Sequence, residues 1–205
     1  MRGYYFITDS ALSRSGNVQD VKAALSAGVK VVQYREKNSS SASMYREALE
    51  LRTLCRQNGA LFIVNDRIDI ALAVEADGVH LGQEDIPYSE ARRILPCSMI
   101  IGISAGTLAE AREAADYGAD YLGVGPVFPT STKTDAAEPC GPELIRIVRR
   151  QCGLPIVAIG GIDEYNASEV ISAGADMICS ISAVVTHTDV AARIKIFSGL
   201  FDLPM

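Results

Sequence analysis

The strongest constraint in this sequence is the regular alternation of short apolar runs with longer amphipathic stretches along its whole length. The apolar runs are rich in Val, Ile, Leu or Tyr and lack the polar alternation of a strand with one face in water, so both faces are expected to be covered. Strands are predicted at residues 4–8, 30–35, 61–65, 78–81, 99–104, 121–125, 156–159 and 177–182. Helices are predicted at residues 18–27, 42–57, 108–117, 142–150, 164–173 and 190–197.

Glycines mark the places where a predicted helix gives way to the next strand. A helix ends most easily on a residue in the left-handed conformation, which glycine adopts without a Cβ clash. The glycines at such junctions are Gly28, Gly59, Gly118 and Gly174. At the start of one helix, Thr107 and Glu110 have the spacing of a capping box. Together these signals indicate a repeating strand–helix unit of about 25 to 30 residues.

Eight such units within 205 residues favour an α/β protein built as one (β/α)8 TIM barrel domain over residues 1–205, at the small end of the size range of that fold. The alternative is an open doubly wound sheet, which commonly has fewer strands and carries a G-x-G-x-x-G phosphate loop after its first strand. No such loop follows residues 4–8. The barrel is therefore the preferred fold.

Composition and charge exclude several classes of function. Nineteen Lys and Arg against 25 Asp and Glu give a net charge of −6, which argues against nucleic-acid or anionic-membrane partners but permits a local basic pocket. No apolar run is long enough for a spanning helix, and the amino end reaches a charge too soon for a signal peptide, so a cytoplasmic protein is expected. Five cysteines without C-x-x-C spacing and two histidines argue against disulfides, zinc clusters and a His-based metal cage.

Polar residues gather where the predicted strands end, which is where a barrel of this kind builds its active site. Gln33, Arg35 and Lys37 follow strand 2 at alternate positions, so they can share one face. An amide and two cations at this spacing suit a polyanionic substrate. The alternative is a solvated strand end with surface charges.

Two acidic residues follow the next two strands. Asp66 comes after strand 3 and Asp85 after strand 4, so their carboxylates are expected on neighbouring loops. Such a pair can hold one Mg²⁺ that keeps waters and accepts phosphate oxygens. The alternative is that each aspartate caps the helix that follows it.

The ends of strands 6, 7 and 8 carry features of a phosphate site. A hydroxyl-rich loop at residues 125–134 contains Lys133, which can supply a point charge to a phosphate. Gly161 permits close approach of backbone N–H groups after strand 7, and Ser182 adds a hydroxyl after strand 8. A plain surface loop and tight packing at barrel closure are the alternatives. His80 lies in an apolar context and is interpreted as a structural histidine rather than a catalytic base.

Taken in order, the motifs of this chain resemble those of the thiamine phosphate synthase family. The matching stretches span nearly the whole chain, at residues 33–37, 64–67, 77–85, 101–105, 118–130, 132–133 and 158–162. The resemblance implies a (β/α)8 transferase with small-molecule substrates. It would move the 4-amino-2-methyl-5-pyrimidinylmethyl group from its diphosphate to 4-methyl-5-(2-phosphooxyethyl)thiazole, release pyrophosphate and require Mg²⁺. A homo-oligomer is compatible with this reading.

The resemblance also implies roles for individual residues. Mg²⁺ would be bound by Asp66 and Asp85. The diphosphate would be held by Arg35, Lys37, Asn65 and Lys133, and the pyrimidine or its leaving group by Gln33 and Ser104. The thiazole phosphate would be held by Thr130, Thr132, Gly161, Ile181 and Ser182. Arg35, Lys37, Ser104 and Lys133 would act on the reacting groups.

One position departs from the family pattern. Many members have a histidine two residues after the Ser104 equivalent, whereas this chain has Gly106. A related branch, the thiazole tautomerases, relies on a histidine in that region as an acid–base group, so its absence favours the synthase. A tautomerase and a non-catalytic protein that binds thiamine-related ligands stay as alternatives.

Overall fold

The computed structural model describes residues 2–130, 132 and 138–202 as eight parallel strands closed into a barrel. The strands are β1 Gly3–Ile7, β2 Val31–Tyr34, β3 Leu61–Asn65, β4 Gly78–Leu81, β5 Ile100–Ala105, β6 Tyr121–Val124, β7 Ile156–Ile159 and β8 Met177–Cys179. Each strand pairs with its neighbour in sequence, and the β1–β8 pair closes the ring. The (β/α)8 prediction is confirmed, and the open sheet is excluded.

Helices cover the outside of the barrel between consecutive strands. They are α1 Asn17–Ser26, α2 Ser41–Gln57, α3 Ile68–Ala73, α4 Tyr88–Ile94, α5 Leu108–Tyr117, α6 Gly141–Cys152, α7 Ala167–Ser172, α8 Ser182–Val185 and α9 Val190–Gly199. Sequence reasoning missed α3, α4 and α8. They are short, with six, seven and four residues, so an amphipathic period has too few turns to show in the sequence.

Both ends of helix α5 have the predicted capping residues, but one bond of the predicted capping box goes to a different residue. The Thr107 side chain accepts a hydrogen bond from the Glu110 backbone N–H, as a capping box requires. The Glu110 carboxylate, however, accepts from the backbone N–H of Gly106 at 2.7 Å. At the other end, Gly118 has the left-handed conformation expected of a C-cap, with φ 88°.

The alternation of side chains along each strand divides the core into two layers. Tyr4 and Phe6 of β1 face outward into the large cluster between the sheet and the helices. Tyr5 and Ile7 face into the barrel, where the other apolar members of the inner cluster include Val31, Ile63, Tyr121, Val157, Met177 and Cys179. Because both faces of every strand are covered, the strands read as apolar runs without polar alternation.

The prediction for the last strand was wrong in its extent. It was predicted to reach residue 182, but β8 ends at Cys179 and Ser182 begins the short helix α8. The Tyr4 hydroxyl bonds both backbone groups of Ser180, and the Ser180 hydroxyl donates to the Ile162 carbonyl. These contacts satisfy the polar groups of Ser180 outside the sheet, so the chain can turn there.

The helices and the cysteines bear on the expected location and redox state of the protein. Within the described ranges, no helix is both long and apolar enough to cross a bilayer. The five cysteines are free thiols, and Cys55 and Cys179 are buried. Burial raises the pKa of the Cys55 thiol to about 12, which keeps it protonated and unreactive near neutral pH.

Candidate active site

Arg35 follows β2 at the carboxyl end of the barrel and is held there by residues of the β1 end. Its guanidinium donates to the Asp9 carboxylate at 2.9 Å. Its backbone N–H donates to the Thr8 hydroxyl at 2.9 Å, and that hydroxyl donates to the Arg35 carbonyl. Asp9 also accepts from two N–H groups of its own loop, at Ala11 and Leu12. The side chain of Arg35 is thus fixed at both of its ends.

Lys37 and two aspartates form a charged cluster across the ends of β2, β3 and β4. The Lys37 ammonium lies 2.5 Å from Asp66 Oδ2. Asp85 accepts from the Gly82 backbone N–H at 2.6 Å and lies within hydrogen-bonding reach of the Asp66 side chain. Partial burial and then the neighbouring Asp66 raise the pKa of Asp85 above its ordinary value. The prediction that the two carboxylates converge is confirmed.

The arrangement of these carboxylates fits a divalent cation. Neither Asp66 nor Asp85 caps a helix through its side chain, since α3 and α4 begin after Arg67 and Pro87 without a side-chain cap bond. Two carboxylates this close repel one another, and the Gly82 N–H and the Lys37 ammonium offset that repulsion in part. No group of three or more His, Cys, Asp or Glu with metal-binding geometry occurs in the described part of the chain. A cation at this pair would therefore take its other ligands from water or substrate oxygens, as Mg²⁺ commonly does.

Polar side chains form a continuous hydrogen-bonded chain inside the barrel. The Gln33 side-chain amide lies 3.0 Å from the Tyr5 hydroxyl, which lies 2.8 Å from the Tyr121 hydroxyl. The Tyr121 hydroxyl lies 2.9 Å from His80 Nδ1, and His80 Nε2 lies 2.9 Å from the Ser104 hydroxyl. Burial lowers the pKa of His80 to about 4, against a smaller opposing effect of Asp66. The imidazole is thus neutral at physiological pH.

Sequence reasoning placed Gln33 and Ser104 in the site but missed what connects them. Both ring nitrogens of His80 have partners, which agrees with a structural histidine, yet one of those partners is a candidate site residue. The two tyrosines were not singled out at all. The sequence signal that could have found them is the presence of Gly102 and Gly123 within strands, where glycine often marks a close approach.

The loops after β6 and β7 lie against one another. Backbone N–H groups of Val127 and Phe128 donate to the carbonyls of Ile159 and Gly160 at 2.9 and 3.0 Å. Gly161 has φ 62°, and a Cβ there would lie 2.5 Å from the Pro129 carbonyl oxygen. Only glycine allows this approach.

The remaining candidate residues lie at the same end of the barrel. Thr130 is half-buried, and its hydroxyl accepts from the Thr132 backbone N–H at 3.3 Å. Asn65 is the last residue of β3 and pairs in register with His80. Ile181 and Ser182 begin α8, whose first N–H groups have no partners within the helix. Lys133 lies outside the described residues.

A cavity of about 250 Å³ lies away from these residues and is lined by residues at or near the amino-terminal ends of strands, among them Val31, Leu61 and Ile100. Tyr5 and Tyr121 also line it, so their rings stand between this end of the barrel interior and the candidate site. An apolar floor at the amino end and polar groups at the carboxyl end are typical of barrel enzymes.

A basic pair, two neighbouring carboxylates and glycine-lined loops lie at the carboxyl ends of the strands, which is where enzymes of the (β/α)8 class build their active sites. The family model for thiamine monophosphate synthase matches residues 4–184. The chain belongs to that family, and it is a transferase of thiamine biosynthesis.

Individual relatives agree with this assignment. The chain is 53% identical over 199 residues to the thiamine-phosphate synthase of Methanospirillum hungatei, which covers 97% of each protein. It is also 53% identical over 192 residues to that of Chloroflexus aurantiacus, covering 93% of this chain and 88% of the relative. Among solved structures, thiamine phosphate pyrophosphorylase from Pyrococcus furiosus is 44% identical with a TM-score of 0.91, covering 98% of this chain and 95% of that one.

Proposed function

We propose that this protein is a thiamine phosphate synthase that transfers the aminopyrimidinylmethyl group from its diphosphate to the ring nitrogen of the thiazole phosphate and releases pyrophosphate. The observation that carries the proposal is the cluster of Lys37, Asp66 and Asp85 beside the fixed guanidinium of Arg35. Cations and a carboxylate pair at one mouth suit a substrate whose leaving group is a diphosphate.

The chemistry asks the protein for charge stabilisation more than for a base. The aminopyrimidine can spread the positive charge that develops on its exocyclic carbon, so departure of the diphosphate can precede attack by the thiazole nitrogen. The site agrees with a reaction that needs no base, because both ring nitrogens of the neutral His80 are already in hydrogen bonds. Donors that are already oriented stabilise a developing anion without reorganising during the reaction.

We assign the leaving diphosphate to Arg35, Lys37 and Asn65, together with Lys133. Arg35 is suited to this role because Asp9 fixes its guanidinium before substrate arrives, which removes part of the entropic cost of orienting it. Lys37 keeps half of its side chain exposed, so its ammonium can exchange Asp66 for a phosphate oxygen. Bound Mg²⁺ would neutralise charge on the leaving group, and Asp66 and Asp85 would be its protein ligands.

We assign the thiazole phosphate to the β6, β7 and β8 ends. Gly161 allows the backbone of the β7 loop to lie directly against the β6 loop that carries Thr130 and Thr132. Hydroxyl groups and free N–H groups from three neighbouring loops can surround a phosphate dianion. The backbone of Ile181 and the hydroxyl of Ser182 would complete that set. Gln33 and Ser104 would place the pyrimidine between the two anion sites.

The test is thiamine phosphate formation from the two purified substrates, with and without a chelator. Asp85→Asn is expected to lower turnover by about a hundredfold to a thousandfold, because one electrostatic contact to a developing charge contributes about 2.7–4 kcal/mol. Asp69→Asn is the matched control, since it removes the charge of another aspartate, one that pairs with Arg67 on the surface.

Two other outcomes would overturn the proposal. Isomerisation of a thiazole phosphate without the diphosphate substrate, unaffected by the chelator and by Asp85→Asn, would identify a tautomerase. Stoichiometric binding of thiazole phosphate without turnover, in folded protein with both substrates and Mg²⁺, would identify a binding protein. Position 106 disfavours the tautomerase, because Gly106 offers no acid–base side chain and its N–H is held by Glu110.

A further inference from the structure

We propose that the interior chain from Gln33 to Ser104 has one direction, which makes the Ser104 hydroxyl a hydrogen-bond donor to the substrate, with Tyr121 and His80 as its positioning residues. The proposal deepens the function proposed above and rests on it, since it specifies what Ser104 offers to the pyrimidine diphosphate. The contact of Ser104 with His80 at 2.9 Å otherwise resembles a serine and its general base.

The direction follows from counting donors and acceptors. The Gln33 amide nitrogen donates to the Tyr5 oxygen, so the Tyr5 proton is free to reach the Tyr121 oxygen. The Tyr121 proton then has His80 Nδ1 as its acceptor. In this direction every buried hydroxyl has an acceptor, as buried polar groups generally require. With the Gln33 amide nitrogen facing Tyr5, a Tyr121 hydroxyl that donated to Tyr5 would leave the Tyr5 proton without an acceptor among the described residues.

The hydrogen-bond partners of the imidazole fix the last step. An imidazole that accepts a hydrogen bond at one ring nitrogen is neutral and carries its proton on the other nitrogen. Because Nδ1 accepts from Tyr121, the proton is on Nε2 and is donated to the Ser104 oxygen. Nε2 then has no lone pair to receive the Ser104 proton, so His80 cannot act as a base toward Ser104. The hydroxyl proton of Ser104 remains available to an acceptor atom of the substrate.

Two glycines leave space in the barrel interior for the rings of this hydrogen-bonded chain. A Cβ at Gly102 would lie 2.0 Å from the Tyr121 ring, and a Cβ at Gly123 would lie 2.8 Å from His80 Cε1. Neither glycine has a positive φ, so backbone conformation does not demand glycine at these positions. Two adjacent strands therefore lack side chains where the rings of Tyr121 and His80 pass, which indicates that this placement of the rings is a built feature.

A substrate-facing donor has a defined chemical use here. A hydroxyl proton can stabilise an oxygen of the diphosphate as negative charge collects on it, or hold an unprotonated ring nitrogen of the pyrimidine. Both are acceptor atoms, and neither needs a nucleophilic serine. The hydrogen-bonded chain therefore assigns Ser104 to substrate recognition as a donor and leaves its oxygen without His80 as a base for nucleophilic attack.

The direct test is the tautomer of His80 in the ligand-free wild-type protein, which needs no activity and no variant at the site. Two-bond ¹H–¹⁵N correlation on histidine-labelled protein distinguishes the two neutral tautomers. The chain has only two histidines, and His187→Gln, at an exposed position, assigns the signals. The Nε2–H tautomer is expected. The Nδ1–H tautomer would reverse the chain and overturn the proposal, whatever reaction the protein catalyses.

Variants then connect the tautomer to catalysis. Tyr121→Phe removes the donor to Nδ1 and is expected to abolish the single tautomer. Tyr34→Phe removes another buried hydroxyl, which donates to Glu47 on the outer side of the sheet, and is expected to leave the His80 signals unchanged. A purely structural role for Tyr121 would predict unchanged His80 signals in folded Tyr121→Phe protein.

Kinetics provide the second readout. Ser104→Ala is expected to lower kcat/KM by about two- to twelvefold, the effect of one neutral hydrogen bond, and Tyr121→Phe by no more than that. Because the two changes act through one bond, the double variant should be no slower than Ser104→Ala. Losses that multiply in the double variant would show that Tyr121 does not act through Ser104, and the proposal would fail.

Discussion

Two regions of the site differ in charge and in burial. The charged rim consists of Arg35, Lys37, Asp66 and Asp85. The interior hydrogen-bonded chain consists of Gln33, Tyr5, Tyr121, His80 and Ser104. The rim is partly open to solvent, where Lys37 pairs with Asp66 and Arg35 pairs with Asp9 beside the rim. The interior chain is neutral, and each of its members is bonded to the next. Exposed charges can exchange partners at little cost, whereas buried polar groups must keep theirs. The rim is therefore suited to capture and release of anions, and the interior to fixed orientation.

The largest expected effect on activity comes from removing one positive charge from the rim. Arg35→Gln should lower kcat/KM about a hundredfold to a thousandfold, and it should also lower stability by about 1.5–3 kcal/mol, because the buried Asp9 loses its charge-assisted hydrogen bond. Steady-state kinetics and a melting curve measure both quantities. Arg67→Gln, which removes a surface ion pair with Asp69, should retain near wild-type activity. Equal losses in the two variants would contradict a special role for Arg35.

The next effect concerns how the rim is supported. Asp9→Asn weakens a charge-assisted hydrogen bond of about 1.5–3 kcal/mol, so kcat/KM should fall about tenfold or more while Arg35 itself remains. Added guanidinium should restore activity to Arg35→Gln better than to Asp9→Asn, because the native arginine still occupies the site in the latter. Unchanged kinetics in folded Asp9→Asn would show that Arg35 does not need its partner.

In the barrel interior, the addition of one methyl group should lower the free energy of unfolding. Gly102→Ala forces its Cβ against the Tyr121 ring, and overpacking of this kind costs about 1–3 kcal/mol. Denaturant unfolding measures the loss. Gly199→Ala is the control, because no atom lies within 4 Å of a Cβ at that position. A Gly102→Ala protein as stable as the wild type would mean that the ring has room to move.

Near neutral pH the smallest expected effect is the contribution of His80 to the pH dependence of stability. Burial lowers its pKa from 6.5 to about 4 in the folded protein. Between these values the unfolded chain binds a proton that the folded chain does not, so stability should fall as pH falls from 6.5 to 4, by at most about 1.4 kcal/mol per pH unit. His80→Gln should flatten this slope. An identical slope in the variant would mean that other groups account for it.

The parts of the site that the sequence predicted are those carried by local signals. Apolar runs located all eight strands, and three of them, β3, β4 and β7, have the predicted bounds. Because parallel strands of a barrel all end on one face, the polar residues that follow them could be assigned to one site. The convergence of Asp66 with Asp85 followed from that rule.

The strict alternation assumed for Gln33, Arg35 and Lys37 was less successful. Strand β2 ends at Tyr34, so only Gln33 is placed by the strand and points into the barrel. Arg35 and Lys37 are placed by their partners, Asp9 and Asp66. Glu36 is buried, and hydrogen bonds from Ser10 and from loop backbone lower its pKa despite the opposing effect of burial.

The sequence by itself determined the strand–helix repeat, the end of the barrel where chemistry occurs and the kind of charge found there, because each depends on residues close together along the chain. Only the tertiary structure decided that Tyr5 meets Tyr121, 116 positions away, and that His80 meets Ser104. Those contacts exist because closure of the barrel brings side chains from distant strands into one interior. No local pattern of hydrophobicity or turn residues encodes which of them will touch.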